Sequence, residues 1–480
     1  MDSIWTGRAK GRQVLLCAWC VLAVALGMLV VFACPQHALA DTTSDGYEYT
    51  VNSDGVTATL TGYSGSATDL DVPSTFDGYT VTAIGNSAFA SNRKLVSITL
   101  PSTIATCSSS EFYYCTSLVY ADLSATALTQ ISDLMFYNCT SLQTVKLPKN
   151  VTSIWDYSFE SCYSLTSVDL AGKPISTISA YAFDYCTSLS SVVIPSSVTK
   201  LDYCSFGNCT SLTSITLNSK NVTGDSTAFY QVGSGSSTGV TVKLGSAITT
   251  VPTWLLSSSV ISKLAAVYVY NADALFLNNV LKDFSGFKIY GYAGSTTYVY
   301  ARHLDATFVS LGGSISSATV TLSSTSFTYN GKKRKPSVTV KIGVQTLEKG
   351  SAYKVTYAGG RKAIGKYKIT VKGKGVYTGS KTIYFKIVPK KAKLKSSATS
   401  KAKKKLAVKW GKVAGSVKYQ VCYRAKGTSK WKKVKVSATS KTLKGLKSGK
   451  KYQVKVRAYK KVKGKTYYGS FSKVKTVKVK

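Results

Sequence analysis

Histidine is the scarcest chemically active residue of this sequence, with 2 copies in 480 residues. Catalysis by a Ser-His-Asp triad would depend on His303, which lies beside Arg302 and Asp305 and is typical of a surface histidine. No close pair of carboxylates in a loop indicates glycosidase chemistry. The Gly-rich segment 233–239 lacks the lysine of a phosphate-binding loop and is interpreted as an inserted loop. We therefore expect no enzyme activity and no cofactor.

Acidic residues are almost missing from the last third of the chain. Residues 313–480 hold 47 lysines and arginines and a single acid, Glu348, whereas residues 41–312 hold 12 basic and 19 acidic residues. The net charge of +41 therefore describes a mildly acidic body joined to a strongly basic tail. Such a tail predicts an anionic partner.

The first 40 residues are typical of a secretory signal peptide. Arg8, Lys10 and Arg12 precede an apolar run at 14–33, and an Ala-Leu-Ala sequence ends at Ala40. We predict cleavage after Ala40 and a secreted protein at the cell surface or in the cell wall. The apolar run is also long enough to span a bilayer, so an uncleaved anchor is the alternative, and only that form would contact a membrane. Export and the lack of an aromatic RNA-binding motif argue against nucleic acid as a partner.

A repeat of 23 or 24 residues fills the middle of the chain. Its leucines are Leu95, Leu118, Leu142, Leu165, Leu189 and Leu212. A phenylalanine precedes each leucine by six residues. Two apolar residues follow each leucine by three and five residues, and this spacing of two predicts a short strand with one buried face. One such unit cannot bury its own apolar face, whereas stacked copies can, so the repeat predicts a solenoid.

Five cysteines share one position of this repeat, three residues before the leucine. They are Cys115, Cys139, Cys162, Cys186 and Cys209. We expect a column of buried thiols, because residues that recur at the solenoid period point the same way in every coil. Disulfides between neighbours stay an alternative, although parallel side chains disfavour them. Metal binding is the weakest alternative, because ligands spaced by a whole coil do not converge on one point.

The repeat resembles the BspA-type leucine-rich repeats of bacterial cell-surface proteins, most clearly at 165–189 and 189–212. The resemblance covers about residues 45–311, with N-terminal cap strands at 49–85 and a closing segment at 289–311. Between 218 and 288 we expect the phenylalanine and cysteine positions of the repeat to be lost. The resemblance implies adhesion to a host or microbial surface.

The basic tail resembles two small β-sandwiches. Residues 313–390 are similar to the Ig-like modules of bacterial surface proteins. Residues 391–480 look like a fibronectin type III domain, with Trp410 on an early strand and Leu446 six residues before Tyr452, as in the tyrosine corner of that family. Lysines alternate with valines there, so the charge lies on the outside of folded strands, and we expect Cys422 to be a core residue.

These observations predict a mainly β protein: a leucine-rich-repeat solenoid followed by two β-sandwich domains. The predicted parts are a signal peptide at 1–40, cap strands at 41–80, the solenoid with its closing segment at 81–312, the Ig-like sandwich at 313–390 and the fibronectin type III domain at 391–480.

The exposed strand face of the solenoid is the predicted recognition surface. Its candidate ligand-binding residues are Tyr120, Asp122, Lys146 and Asp169. The expected partners are a host or microbial surface protein or glycan for the solenoid, and anionic cell-wall polymers for the tail. The alternative function is a surface spacer without a ligand, whose strand residues are merely solvated. Aromatic residues outside the strands either form a second patch or fill the turn side: Trp155, Tyr157 and Tyr181.

Overall fold

The computed structural model of the chain describes residues 40–220, 222–277, 280–395, 400, 402–415 and 417–480. The predicted signal peptide lies outside the described residues apart from Ala40. Within the described ranges the structure is almost entirely β, with one helix of 8 residues. The predicted mainly β fold, a solenoid followed by sandwiches, is confirmed. None of the helices in these ranges is long and apolar enough to cross a membrane.

The N-terminal strands close one end of the solenoid. They are β1 (Asp41–Thr42), β2 (Tyr47–Val51), β3 (Thr57–Tyr63), β4 (Asp69–Asp71), β5 (Thr75–Phe76) and β6 (Tyr79–Ile84). Strands β1, β2 and β3 pair antiparallel, and β3 then pairs in parallel with β6, where the coiling begins. Tyr47 stacks on Phe76 with 5.1 Å between ring centroids, so aromatic rings cover the end of the core.

The solenoid is built from short parallel strands on two faces of each coil. Its elements are β7 (Ser97–Thr99), β8 (Thr106–Cys107), β9 (Tyr120–Asp122), β10 (Gln130–Ile131), β11 (Thr144–Lys146), β12 (Ser153–Ile154), β13 (Thr177–Ile178), β14 (Ser191–Ile194), β15 (Lys200–Leu201), β16 (Ser214–Leu217), β17 (Thr223–Gly224), β18 (Val240–Leu244), β19 (Leu264–Val269), β20 (Lys288–Tyr292), α1 (Thr296–His303) and β21 (Thr307–Ser314). The predicted recognition face carries two sheets, ordered β11-β9-β7-β4 and β14-β16-β18-β19-β20-β21, and the segment Tyr377–Thr378 of the next module is added at the end of the second. Residues 165–170 separate these sheets and form no strand, although Val168 and Leu170 are buried there as the repeat predicts.

A stack of phenylalanine rings forms the centre of the solenoid. Consecutive rings lie 5.0 to 5.2 Å apart from Phe89 to Phe229. The expectation that the phenylalanine position is lost after residue 218 is wrong for one further coil, because Phe229 follows Phe206 by 23 residues and is fully buried. Trp254 then takes the next place in the stack, 6.4 Å from Phe229.

The five repeated cysteines form the predicted column of free, fully buried thiols. Each Sγ donates to the backbone carbonyl of a phenylalanine in the preceding coil, for example Cys115 to Phe89 at 3.0 Å and Cys139 to Phe112 at 3.1 Å. The same contact recurs at 3.2 to 3.3 Å in the next three coils. The small side chain thus fills the turn and also satisfies a buried acceptor.

The first basic module consists of two sheets, β22-β24-β25 and β23-β29-β27-β26. Its strands are β22 (Thr319–Leu322), β23 (Ser326–Thr328), β24 (Val338–Ile342), β25 (Gln345–Thr346), β26 (Tyr353–Tyr357), β27 (Gly365–Gly373), β28 (Tyr377–Thr378) and β29 (Ser380–Val388). Strand β21 of the solenoid pairs with β28, and the Gly294 amide donates to Gln345 Oε1 at 3.0 Å. The solenoid and this sandwich therefore share a sheet across the limit predicted at residue 312.

The second basic module also has two sheets, β30-β33 and β32-β31-β34-β35, with β36 paired to β34. Its strands are β30 (Leu406–Lys409), β31 (Lys418–Ala425), β32 (Lys432–Val436), β33 (Ser440–Leu443), β34 (Lys451–Val462), β35 (Lys465–Tyr468) and β36 (Lys475–Lys478). Trp410 is buried in its core, and the Lys447 amide donates to Tyr452 Oη at 3.2 Å, as the tyrosine corner implies. Cys422 is buried as expected, but outside that core, on the opposite side of the sheet.

Candidate binding site

Three of the four predicted ligand-binding residues meet on the strand face of the solenoid. Strands β9 and β11 pair in register, which sets Asp122 opposite Lys146, while Ala121 between the outward residues points into the core. Tyr120 Oη donates to Asp122 Oδ2 at 2.9 Å, and Lys146 Nζ donates to the same oxygen at 2.8 Å. The Lys146 ammonium also lies 5.3 Å from the centroid of the Tyr120 ring. We call Tyr120, Asp122 and Lys146 the strand-face cluster.

The cluster holds its charges in a fixed arrangement. Burial disfavours the ionised form of Asp122, but hydrogen bonds from Lys146, Ser124 and Tyr120 outweigh it and hold the pKa of this carboxyl well below its usual range. The same hydrogen bond to Asp122 raises the pKa of Lys146. The Lys146 side chain stays 54% exposed, so its ion pair adds little to folding stability and leaves the ammonium open to a partner.

Asp169 is not part of this cluster. Its segment forms no strand, and its carboxylate lies 4.0 Å from Lys173 within its own coil. The carboxylate is 78% exposed, so its role in ligand binding stays a prediction.

An exposed column of aromatic rings lies on the turn side of neighbouring coils. Tyr157 and Tyr181 stack with 5.0 Å between centroids, and Tyr203 meets Tyr181 edge to face at 5.3 Å. Trp155 is 44% exposed and donates to Ser153 Oγ at 3.0 Å. The sequence alone indicates these aromatic residues except Tyr203. That residue lies three rather than two positions before its phenylalanine, so a fixed repeat offset does not find it.

The tyrosines of this column leave the coil at turns with left-handed backbone. Tyr157 and Tyr181 both have φ of 57°, a conformation that favours glycine. Stacking covers one face of each of these two rings. The column therefore offers tyrosine ring edges and hydroxyls, with less open ring face on which a sugar could stack.

Metal binding gains no support from these surfaces. In the described ranges no group of three or more His, Cys, Asp or Glu side chains comes together in a way that could hold an ion. Glu160 and Asp184 each follow the phenylalanine of their repeat and so occupy the same position of adjacent coils. Burial and the neighbouring Asp184 raise the pKa of Glu160 to about 7.

Stacked parallel coils with a column of buried leucines, joined to β-sandwiches, define a leucine-rich-repeat solenoid protein. Residues 63–176 and 176–266 match the BspA type Leucine rich repeat region in 6 copies, and residues 393–470 match the Fibronectin type III domain. The solenoid is therefore a BspA-type leucine-rich-repeat region, and the last module is a fibronectin type III domain. Both are typically binding or structural domains rather than enzymes.

Solved structures that match parts of this chain come from several bacteria. A leucine-rich repeat protein of Treponema pallidum is 22% identical, with a TM-score of 0.30, 44% of this chain covered and 84% of that one. A second, from Bacteroides ovatus, is 20% identical, with a TM-score of 0.34 and coverages of 52% and 70%. A leucine-rich cell surface protein of Faecalibacterium prausnitzii is 18% identical, with a TM-score of 0.20 and coverages of 57% and 94%. No curated protein matches the chain.

Proposed function

We propose that this chain is a secreted bacterial surface protein whose solenoid binds a protein or glycan of a host or microbial surface. The observation that carries the proposal is the strand-face cluster. It presents an aromatic ring, a carboxylate and an exposed ammonium on adjacent strands of an otherwise small, polar sheet. Side chains of this kind, held on a rigid sheet, suit recognition of a partner's polar groups.

The basic modules have a second role in this proposal, namely retention at the cell envelope. Residues 313–480 hold 47 basic residues and one acid, and many lysines lie exposed on ordered strands. Phosphate-rich polymers of a Gram-positive wall carry the complementary charge. Many weak contacts between the two surfaces add up to firm binding at low salt.

The test for the solenoid is a double substitution in the full chain, Tyr120→Ala with Lys146→Ala. We expect adhesion to a host-matrix or microbial surface to fall by about tenfold or more, while the melting temperature hardly changes because the ion pair is exposed. Tyr185→Ala with Lys200→Ala is the matched control, since it removes an exposed tyrosine and a second Lys–Asp pair from other faces of the solenoid.

The two variants separate the proposed function from its alternative. Adhesion that survives in the strand-face variant but not in the control would move the site away from the strand face. Adhesion that neither variant changes would place the binding site elsewhere on the chain, and wild type that binds none of these surfaces would indicate a spacer without a ligand.

A further inference from the structure

The outer side of the five-stranded sheet in the fibronectin type III domain is a built cationic surface. Side chains of β31 and β34 alternate across this sheet, so Val421, Val454 and Val456 point into the core. The residues between them point outward. We call the outward cations of these strands and of β32 the cationic face: Arg424, Lys433, Lys435, Lys455 and Arg457.

Glutamine side chains fix the two guanidinium groups of this face. Arg457 Nε donates to Gln420 Oε1 at 2.8 Å, and Arg424 Nε donates to Gln453 Oε1 at 2.9 Å. Both bonds run between opposed residues of β31 and β34. Arg457 uses only Nε in this way, and within the described ranges its terminal nitrogens have no protein acceptor. They form the fork that binds phosphate in a bidentate manner.

Aromatic rings hold the same cations in place from the side. The guanidinium carbon of Arg457 lies 3.7 Å from the Tyr468 ring centroid, and Lys455 Nζ lies 4.2 Å from that of Trp431. Phe471 lies between Lys455 and Arg457, at 4.5 and 4.4 Å. Each cation covers a face of its ring, which leaves less ring surface for stacking on nucleobases or sugars.

No carboxylate of the domain neutralises this face. Residues 391–480 contain 31 basic residues and no acid, and the one acid of the basic tail, Glu348, accepts a hydrogen bond from Ser351 in the preceding sandwich. The cations therefore repel one another until an external anion binds. Lys433 and Lys455, like Lys435 and Arg457, flank β31 from either side, so their backbones lie about 10 Å apart, while neighbours along a strand lie about 7 Å apart. This spacing suits a flexible chain of regularly spaced charges.

We propose that the cationic face is the binding site for a linear phosphodiester polymer of the cell wall. The guanidinium fork of Arg457 binds one phosphate, and Arg424, whose Nη1 donates to the Ser429 carbonyl at 3.2 Å, adds point charge together with the lysines. This inference rests on the proposed retention at the envelope and locates it on one face of one module. Cys422, which lies beneath Lys433 and Lys455, is a buried support for these side chains.

The test uses the full chain and poly(glycerol phosphate) as the probe, with binding measured at low and physiological salt. Lys433→Gln with Lys455→Gln should weaken binding by about tenfold. Lys409→Gln with Lys441→Gln, on the small sheet β30-β33, removes the same charge from another surface and should weaken binding less than about twofold. Arg457→Lys keeps the charge but loses the fork, and should weaken binding by about fivefold.

Each outcome supports or overturns the inference. Equal losses in the two lysine variants would refute the cationic face and leave diffuse retention by the tail intact. No binding of wild type to the probe or to purified walls would refute the retention itself. Polyglutamate bound as tightly as poly(glycerol phosphate) at equal charge would refute phosphate recognition. Single-stranded DNA bound at least about tenfold more tightly would assign the face to nucleic acid instead.

Discussion

At the scale of single residues, position in the coil decides what each reactive group does. A thiol or a carboxylate inside the stack contacts backbone rather than water, and this burial raises its pKa. Burial raises the pKa of Cys115 to about 12, so this thiol stays protonated and unreactive at neutral pH. The same burial raises the pKa of Glu111 to about 7.

The cysteine column gives the first prediction at this scale. Cys162→Ala removes a buried Sγ and its hydrogen bond to the Phe136 carbonyl, and should lower the free energy of unfolding by about 1–2 kcal/mol. In the native protein, thiol labelling should be slow at Cys139 and Cys162, faster at the half-buried Cys107, and complete only after denaturation. A disulfide between Cys139 and Cys162 in mass spectrometry would contradict the prediction.

Glu111 gives the second prediction. Its side chain is fully buried, Ser132 Oγ donates to its Oε2 at 2.6 Å, and within the described ranges its Oε1 has no partner. Burial raises its pKa from 4.5 to about 7. The folded state thus binds this proton more tightly than the unfolded state. Its stabilising contribution is complete below about pH 4.5 and is lost as pH rises through about 7.

We therefore expect the free energy of unfolding to fall by a few kcal/mol between pH 5 and pH 8. This is the order of the free energy that corresponds to the raised pKa of Glu111. Glu111→Gln cannot ionise and should remove much of this fall, as measured by urea unfolding at the two pH values. Glu160→Gln is the control for the second glutamate, whose pKa burial also raises to about 7 although its side chain is only half-buried. An unchanged pH dependence in Glu111→Gln would show that the fall has another source.

At the scale of elements, the junction between solenoid and sandwich depends on two close backbone approaches. Strand β21 pairs with β28, and Gly294 lies against the Ile342 carbonyl with φ of 73°. A Cβ at Gly294 would collide with that carbonyl, whereas one at Gly286, with φ of 71°, would meet nothing within 4 Å. The two glycines share a backbone conformation and differ in crowding.

This difference gives the third prediction. Gly294→Ala should cost about 2–3 kcal/mol through strain and collision, and Gly286→Ala only about 1 kcal/mol through strain alone. Gly294→Ala should also make the segment around residues 312–318 more sensitive to limited proteolysis, because the shared sheet loosens there. Similar melting temperatures and cleavage patterns in the two variants would mean that the junction is not crowded.

At the scale of the whole molecule, charge is divided between modules that are physically joined. The acidic body presents the strand-face cluster, and the first basic sandwich is joined to it by a shared sheet. A partner bound to the solenoid and a wall polymer bound to the tail would therefore contact different parts of one continuous protein.

The fourth prediction concerns retention of the full chain on purified anionic walls. The Debye length is about 8 Å at 0.15 M salt and about 3 Å at 1 M, so contacts between charged surfaces survive the first condition and fail in the second. We expect most of the bound protein to elute by about 1 M salt. Walls stripped of phosphate polymers should bind far less, and equal binding to stripped walls would exclude the electrostatic mechanism.

Periodicity was enough to predict the repeated core from the sequence. The leucine, phenylalanine and cysteine positions recur at the coil length, and a stack forces identical positions into identical surroundings, so burial of the thiols followed directly. The strand-face cluster followed as well, because alternation along a strand places Tyr120 and Asp122 on one side and parallel pairing adds Lys146.

Only the tertiary structure decided the features that depend on contacts between unlike segments. The sequence could not show that residues 165–170 interrupt the sheet and separate Asp169 from the cluster, because hydrogen bonding between coils depends on the paths of both. It also predicted burial of Cys422 without revealing which side of the sheet the thiol faces. Side chains alternate between the two faces of the sheet. Long cationic side chains shield the outer face from water here, as the core shields the inner face.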